Sequence, residues 1–262
     1  MTLDELKFNV DTKGIKVIQT QRGEVDTSNP YSQWNLCHYT GDVAQHVFDS
    51  RLELCQLLGI DYDHLIMPRQ THSCRVTAFD EKLVAAPSRI RKLMLDGVDA
   101  LVTTVPSVCI GVNTADCVPI ALADPINGVI AIAHAGWRGT VGHIAEETVK
   151  VMEAVGAKAS NILATMGVSI CQECFEVGDE VVREFEQAGF DISLIMRRNT
   201  TTGKAHINLQ EANRQVLISA DVPAHNITLP NHCSRCESNR YFSARRLGIA
   251  SGRTFTGIIL RN

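Results

Sequence analysis

Three segments of the chain place a metal-ligating side chain at or beside the end of an apolar run: Gln70-Thr71-His72, Asp116-Cys117 and His134-Ala135-Gly136-Trp137-Arg138-Gly139. Forty-five positions separate His72 from Cys117 and seventeen separate Cys117 from His134. No single loop gathers residues so far apart; such spacings suit a site assembled by the fold. Two imidazole nitrogens and one thiolate form a borderline-soft donor set suited to Zn²⁺, and three protein ligands leave a fourth position for water or substrate. Taken singly, a histidine at a strand end is more often solvated or already satisfied, and a cysteine in an apolar run is more often a small core residue. The stretch after His134 adds weight to the metal reading. A strand ends there, Gly136 and Gly139 flank Trp137 and Arg138, and a helix begins, so backbone N–H groups and an arginine face the strand's exit. The expected feature is an anion pocket beside a metal, unless the glycines only make a tight turn. Asp116 could orient a ligating imidazole or serve a turn.

The elements that must position these residues can be read from hydrophobic periodicity. Short β-branched runs at 15–19, 64–67, 76–79, 99–103, 107–112, 118–123, 128–133, 162–166, 227–229 and 254–260 predict strands. After Gly139, the apolar side of Val141, Ile144, Ala145, Thr148, Met152 and Val155 predicts a helix with Thr140 capping its first turn. Leu209, Ala212, Val216, Leu217 and Ala220 predict another with Asn208 as N-cap, and segments 43–58 and 178–188 are less regular helical stretches. Three strands in succession around residues 98–123 fit strict β-α-β alternation poorly, so the expected class is α+β, with mixed or stacked sheets flanked by helices. No repeat, low-complexity tract or linker divides the sequence, and residues 1–262 are read as one domain.

Composition limits the function classes. The 262 residues are 45% hydrophobic and 21% charged, which supports a sizeable core, and the net charge of −4 argues against nucleic acid or an anionic membrane as partner. The start, MTLDELKFNV, carries Asp4 and Glu5 where a secretory signal needs an apolar run, and no stretch reaches the roughly 20 apolar residues of a membrane span. With nine cysteines, an odd number, the chain reads as cytoplasmic with reduced thiols. Cys171-x-x-Cys174 and Cys233-x-x-Cys236 have knuckle spacing, but 58 residues lie between the pairs, whereas zinc ribbons separate theirs by roughly 15–20. A structural zinc or a redox pair is therefore the less expected reading of these cysteines, and their role stays open.

Taken together, Gln70-Thr71-His72, Thr114-Ala115-Asp116-Cys117, His134 to Gly139, Cys174-Phe175-Glu176-Val177-Gly178 and Phe242-Ser243-Ala244-Arg245-Arg246 resemble the signature blocks of the laccase-domain purine nucleoside phosphorylase family, also labelled polyphenol oxidase or peptidoglycan-editing factor. Arg22-Gly23, Asn35-Leu36 and Gly41-Asp42 resemble its opening blocks, so the likeness spans nearly the whole chain. The resemblance implies a four-layer α-β-β-α fold and a zinc held by His72, Cys117 and His134. It also implies phosphorolysis of adenosine, inosine, guanosine and methylthioadenosine, with adenosine deamination as a second activity. The chain departs from the family pattern at residues 167–175, where a Gly-Pro-x-Ile-Gly-Pro-x-Cys-Tyr run is usual and both prolines are absent here.

Phosphorolysis requires an anion aligned with the sugar's C1′ and help for a departing purine, which makes Arg138, Arg245 and Arg246 the candidate phosphate and substrate binders. Trp137, Phe175, Tyr241 and Phe242 are aromatic residues that could stack on a purine or belong to the core. The expected partners are small nucleosides and phosphate, with the protein a monomer or homodimer. Multicopper oxidation fits poorly, because the nine histidines include no His-x-His pair. A single blue-copper site would share the two-His, one-Cys set and add an axial Met. The main alternative is a Cys-His or metal-assisted hydrolase editing peptidoglycan precursors, with Cys117 as nucleophile and His134 or His72 as base.

Overall fold

The computed structural model describes every residue except Lys13, Thr27 and Asn262. Two mixed sheets lie face to face. One has the strand order Leu3–Leu6, Ile15–Thr20, Thr254–Leu260, Cys109–Thr114, Leu65–Ile66, and the other Ile227–Thr228, Leu163–Met166, Val118–Asp124, Val129–Ala135, Ala100–Thr103, Val76–Phe79. A small antiparallel sheet of Glu176–Val177, Ala205–Ile207 and Met196–Arg198 sits apart from both.

The two-residue alternation of the strands distributes their side chains between layers. In Val118–Asp124, Val118, Ile120 and Leu122 pack towards the helices Ile144–Ala154 and Leu209–Ser219, whereas Ala121 and Ala123 enter the core between the sheets. In Val129–Ala135, Val129, Ala131, Ala133 and Ala135 take the helix side, and Ile130 and Ile132 meet Val17, Ile110, Val112 and Ile258 of the facing sheet. On the far side of that sheet, Ile18, Cys109, Phe255 and Ile259 pack with Leu54, Cys55 and Leu58 of the helix Ala44–Leu58. The order helix, sheet, sheet, helix is the expected four-layer α+β arrangement.

All ten expected strands are present, with shifted ends. The four that periodicity missed are Leu3–Leu6, Glu176–Val177, Met196–Arg198 and Ala205–Ile207, each two to four residues long and too short to establish a period. The helix expected after Gly139 differs in its start. A five-residue turn, Trp137–Val141, comes first; the chain breaks at Gly142 and at His143, whose φ is 59°, and the long helix Ile144–Ala154 follows. A Cβ on Gly142 would lie 2.2 Å from Cys74 Sγ, so that approach requires glycine. Thr140 therefore caps nothing: its hydroxyl donates to the Gly136 carbonyl at 3.0 Å and accepts from Asn213 Nδ2 at 3.0 Å. Asn208 does cap its helix, accepting the Glu211 N–H at 3.0 Å.

One connection matters most for the chemistry. Strand Cys109–Thr114 belongs to one sheet and Val118–Asp124 to the other, so residues 115–117 carry the chain across the gap between sheets.

Candidate metal centre

Each of the three candidate ligands is placed by a different device. His134 continues the row of Ile130 and Ile132 that faces between the sheets, and its register partner is Pro119, two residues beyond Cys117. Cys117 ends the crossing at residues 115–117, where Asp116 takes a φ of 90°. Ser234 Oγ donates to Asp116 Oδ1 and the Arg245 N–H to Asp116 Oδ2, both at 2.7 Å, which holds this left-handed conformation in place. The segment carrying His72 is tied down by Gln70, whose amide donates to the Asn113 carbonyl at 2.9 Å and accepts the Asn113 N–H at 2.8 Å. A buried side chain here substitutes for a strand partner along Cys109–Thr114.

Asp99 organises both histidines. Its carboxylate accepts the successive N–H groups of Thr71, His72 and Ser73 at 3.1, 3.0 and 2.8 Å and the Ser73 hydroxyl at 2.7 Å, which wraps the backbone around an anion and fixes His72 at a φ of 61°. Its Oδ1 also lies 2.8 Å from His134 Nδ1. A carboxylate only accepts, so Nδ1 carries the proton and Nε2 is left for the metal position. The sequence reading offered Asp116 for this role or for a turn; it is the turn that Asp116 braces, and Asp99 was missed. Its one sequence signal is an acidic residue directly before the strand Ala100–Thr103, whose first three residues are apolar.

The three ligand atoms lie within 4.8 Å of one another. Cys117 Sγ is 3.8 Å from His72 Nε2, near the edge of about 3.6 Å that tetrahedral Zn–S and Zn–N bonds would require. His134 is buried, Cys117 half-buried and His72 exposed, so the site opens to solvent on the His72 side. Burial pushes the Cys117 thiol up, but the His134 and His72 imidazoles outweigh it and bring it down to about 6. Burial likewise disfavours the charged form of His134, yet Cys117 and Asp99 raise it to about 9. A thiolate and an imidazolium in contact mark a place where a divalent cation can take over the charge of a proton. The donor set, the spacing and this charge arrangement all fit zinc.

Gly136 completes the cradle. A Cβ there would lie 2.9 Å from both Cys117 Sγ and His72 Cδ2, although its φ of −67° suits any residue. Space, not turn geometry, demands glycine. Gly136→Ala is therefore expected to spread the ligands and lower zinc content with a stability loss of only about 1–3 kcal/mol. Metal analysis and thermal unfolding of the same variant check this; full zinc retention would show that the cradle can relax.

The remaining sequence candidates are distributed unevenly. Arg138 is exposed, follows Gly136 by two residues and stacks on Trp137, 4.2 Å from the ring centre. Arg245 reaches the site through its N–H to Asp116, while its guanidinium donates to the carbonyls of Cys174 at 3.3 Å and Glu176 at 3.1 Å. Arg246 is exposed, and its backbone N–H donates to the Ser243 hydroxyl at 3.3 Å. Tyr241 and Phe242 are buried: Tyr241 donates to Asp4 Oδ2 at 2.7 Å, and Phe242 lies under Arg22. Phe175 is largely buried as well, and half-buried Trp137 packs against the helix-side core with Arg138 over its ring. The two Cys-x-x-Cys pairs, 58 residues apart in sequence, come together, with the four sulfurs within 4.8 Å of one another.

Comparison with known proteins agrees with this picture. The family model described as multi-copper polyphenol oxidoreductase laccase matches residues 16–261. The chain is 56% identical over 256 residues to a protein named adenosine deaminase RL5 from an unknown prokaryotic organism, covering 98% of each. It is 39% identical to a purine nucleoside phosphorylase of Bacteroides thetaiotaomicron, covering 93% of this chain and 90% of that protein. Its fold superposes on the crystal structure of YlmD from Geobacillus stearothermophilus with a TM-score of 0.87 at 29% identity, covering 96% of this chain and 93% of that one. A match along nearly the whole length, with His72, Cys117 and His134 converging in the fold it shares with YlmD, shows that the chain belongs to the laccase-domain family whose relatives carry the names purine nucleoside phosphorylase and adenosine deaminase.

Proposed function

We propose that this protein is a zinc-dependent purine nucleoside phosphorylase that also deaminates adenosine, with His72, Cys117 and His134 holding the metal. The observation that carries the reading is their convergence into a three-donor set with one solvent-facing side. When bound there, zinc supplies Lewis acidity and acidifies water towards neutral pH. The chain's own residues do the rest. Asp99 keeps the His134 proton on Nδ1, and Trp137, half-buried with Arg138 over its ring, is the aromatic candidate for a purine. Arg138, exposed beside the site, offers a charge-assisted contact to phosphate, with Arg245 and Arg246 as further candidates. A multicopper cluster needs many imidazoles, and the two metal-competent groups found among the described residues contain only two histidines between them.

The test is to incubate the purified protein with adenosine, with and without phosphate. Phosphate-dependent release of adenine with ribose 1-phosphate, and inosine formation without phosphate, are expected; neither product overturns the reading. The relative named adenosine deaminase at 56% identity gives the deamination arm particular weight.

Arg138→Ala should raise the KM for phosphate at least about tenfold, the equivalent of roughly 1.4 kcal/mol, because it removes an ionic contact from an exposed position. Its thermal stability should stay close to that of the parent. Unchanged phosphate dependence together with a lowered Tm would make Arg138 a structural residue.

A further inference from the structure

We infer that the protein carries a second metal centre, a four-thiolate zinc site formed by Cys171, Cys174, Cys233 and Cys236, which share no residue with the first. All four Sγ atoms lie within 4.8 Å of one another, and tetrahedral zinc with Zn–S bonds near 2.3 Å needs sulfur–sulfur edges of about 3.8 Å. Cys174 Sγ and Cys236 Sγ are 3.5 Å apart, much farther than the bonded distance of about 2.05 Å in a disulfide. Each pair offers two sulfurs three positions apart; Cys171 precedes and Cys174 ends the short helical turn Gln172–Cys174.

Tertiary structure removes the objection raised by the 58 intervening residues. Ser169 and Cys233 form a parallel bridge, and the Ser234 N–H donates to the Ser169 carbonyl at 3.1 Å, so the two loops run side by side. Groups around the sulfurs also suit thiolates. The Cys171 N–H donates to Cys233 Sγ at 3.3 Å, and Arg235 Nη1 reaches Cys174 Sγ at 3.4 Å, a cation beside a site whose four thiolates exceed the charge of one Zn²⁺ by two. A core-packing role does not account for the group, because Cys236 is exposed and Cys171 only half-buried.

Four protein ligands leave no open position, so this centre is structural. It fastens the loops that support the first site. Ser234, beside Cys233, braces Asp116, and the carbonyls of Cys174 and Glu176 receive the Arg245 guanidinium.

Native mass spectrometry of protein purified under reductant should show two zinc ions per chain. The double substitution Cys233→Ser/Cys236→Ser should lose one and keep the other, and His72→Ala should lose only the complementary one. If the double variant does not fold, Cys236→His, which restores a fourth donor, should keep two. Site-resolved alkylation needs no variant: exposed Cys236 should be protected in the zinc-loaded protein and label rapidly after chelation. Only one zinc per chain in the parent protein, two retained in Cys233→Ser/Cys236→Ser, rapid labelling of Cys236 at full zinc occupancy, disulfides among the four cysteines under reductant, or iron in place of zinc would each overturn the proposal.

Discussion

Chelation is expected to abolish adenosine turnover and, in the same samples, to turn Cys117 from a protected thiol into a rapidly labelled one. With metal present, its thiolate is committed as a ligand and reacts slowly with alkylating agents. Once metal is removed, His134 and His72 hold the thiol down to about 6, so most Cys117 is thiolate at pH 7. The sign of the pH dependence follows: labelling of the metal-free protein should be near its maximum above pH 7 and decline as pH falls through about 6. Buried Cys109 gives the contrast, since burial pushes its thiol up and outweighs the opposing charge of Arg261. Zinc added back should restore both turnover and protection. Cys117→Ser should lose the metal, with an activity loss beyond the roughly 10–100-fold typical of removing an outer partner of a ligand. The hydrolase reading expects the reverse: fast labelling of Cys117 in the metal-loaded protein and turnover that survives a chelator. Nine cysteines make site-resolved mass spectrometry necessary.

Asp99→Asn should produce the second large effect, a loss of about 10–100-fold in zinc affinity together with about 3 kcal/mol of stability. Five donors converge on this buried carboxylate: the backbone N–H groups of Thr71, His72 and Ser73, the Ser73 hydroxyl and His134 Nδ1. An amide has the same shape but offers only one acceptor atom, and its NH₂ would face donors. The His72 segment would lose the anion around which it is wrapped, and the His134 ring would lose the partner that fixes its proton on Nδ1. Zinc competition titrations and thermal unfolding on one preparation check both effects. A lowered Tm with unchanged zinc affinity would reduce Asp99 to a structural role.

Much of the candidate site was legible without coordinates because Cys117 and His134 lie at strand ends, which periodicity marks, whereas His72 lies in the loop between the strands Leu65–Ile66 and Val76–Phe79. His134 follows Ile130 and Ile132 at a spacing of two, so the side of the sheet it faces follows from the alternating pattern alone. The donor types pointed to an open zinc site, and the succession of strands around residues 98–123 pointed to α+β. Other roles depended on which distant groups meet. Asp99 is one acidic residue in an apolar stretch, and its importance arises from three N–H groups more than 25 positions away that need a buried acceptor. Tyr241 and Phe242 read as possible purine platforms until the fold buried them against Asp4 and Arg22. The four clustered cysteines give the sharpest case. Spacing rules describe ligands presented by one local hairpin, whereas these pairs are joined by a bridge between loops far apart in sequence. Local chemistry and periodicity determined which residue types stood at the strand ends and which faces they shared. Tertiary structure decided which distant segments became neighbours, because that depends on how buried donors, acceptors and apolar faces are satisfied across the whole chain.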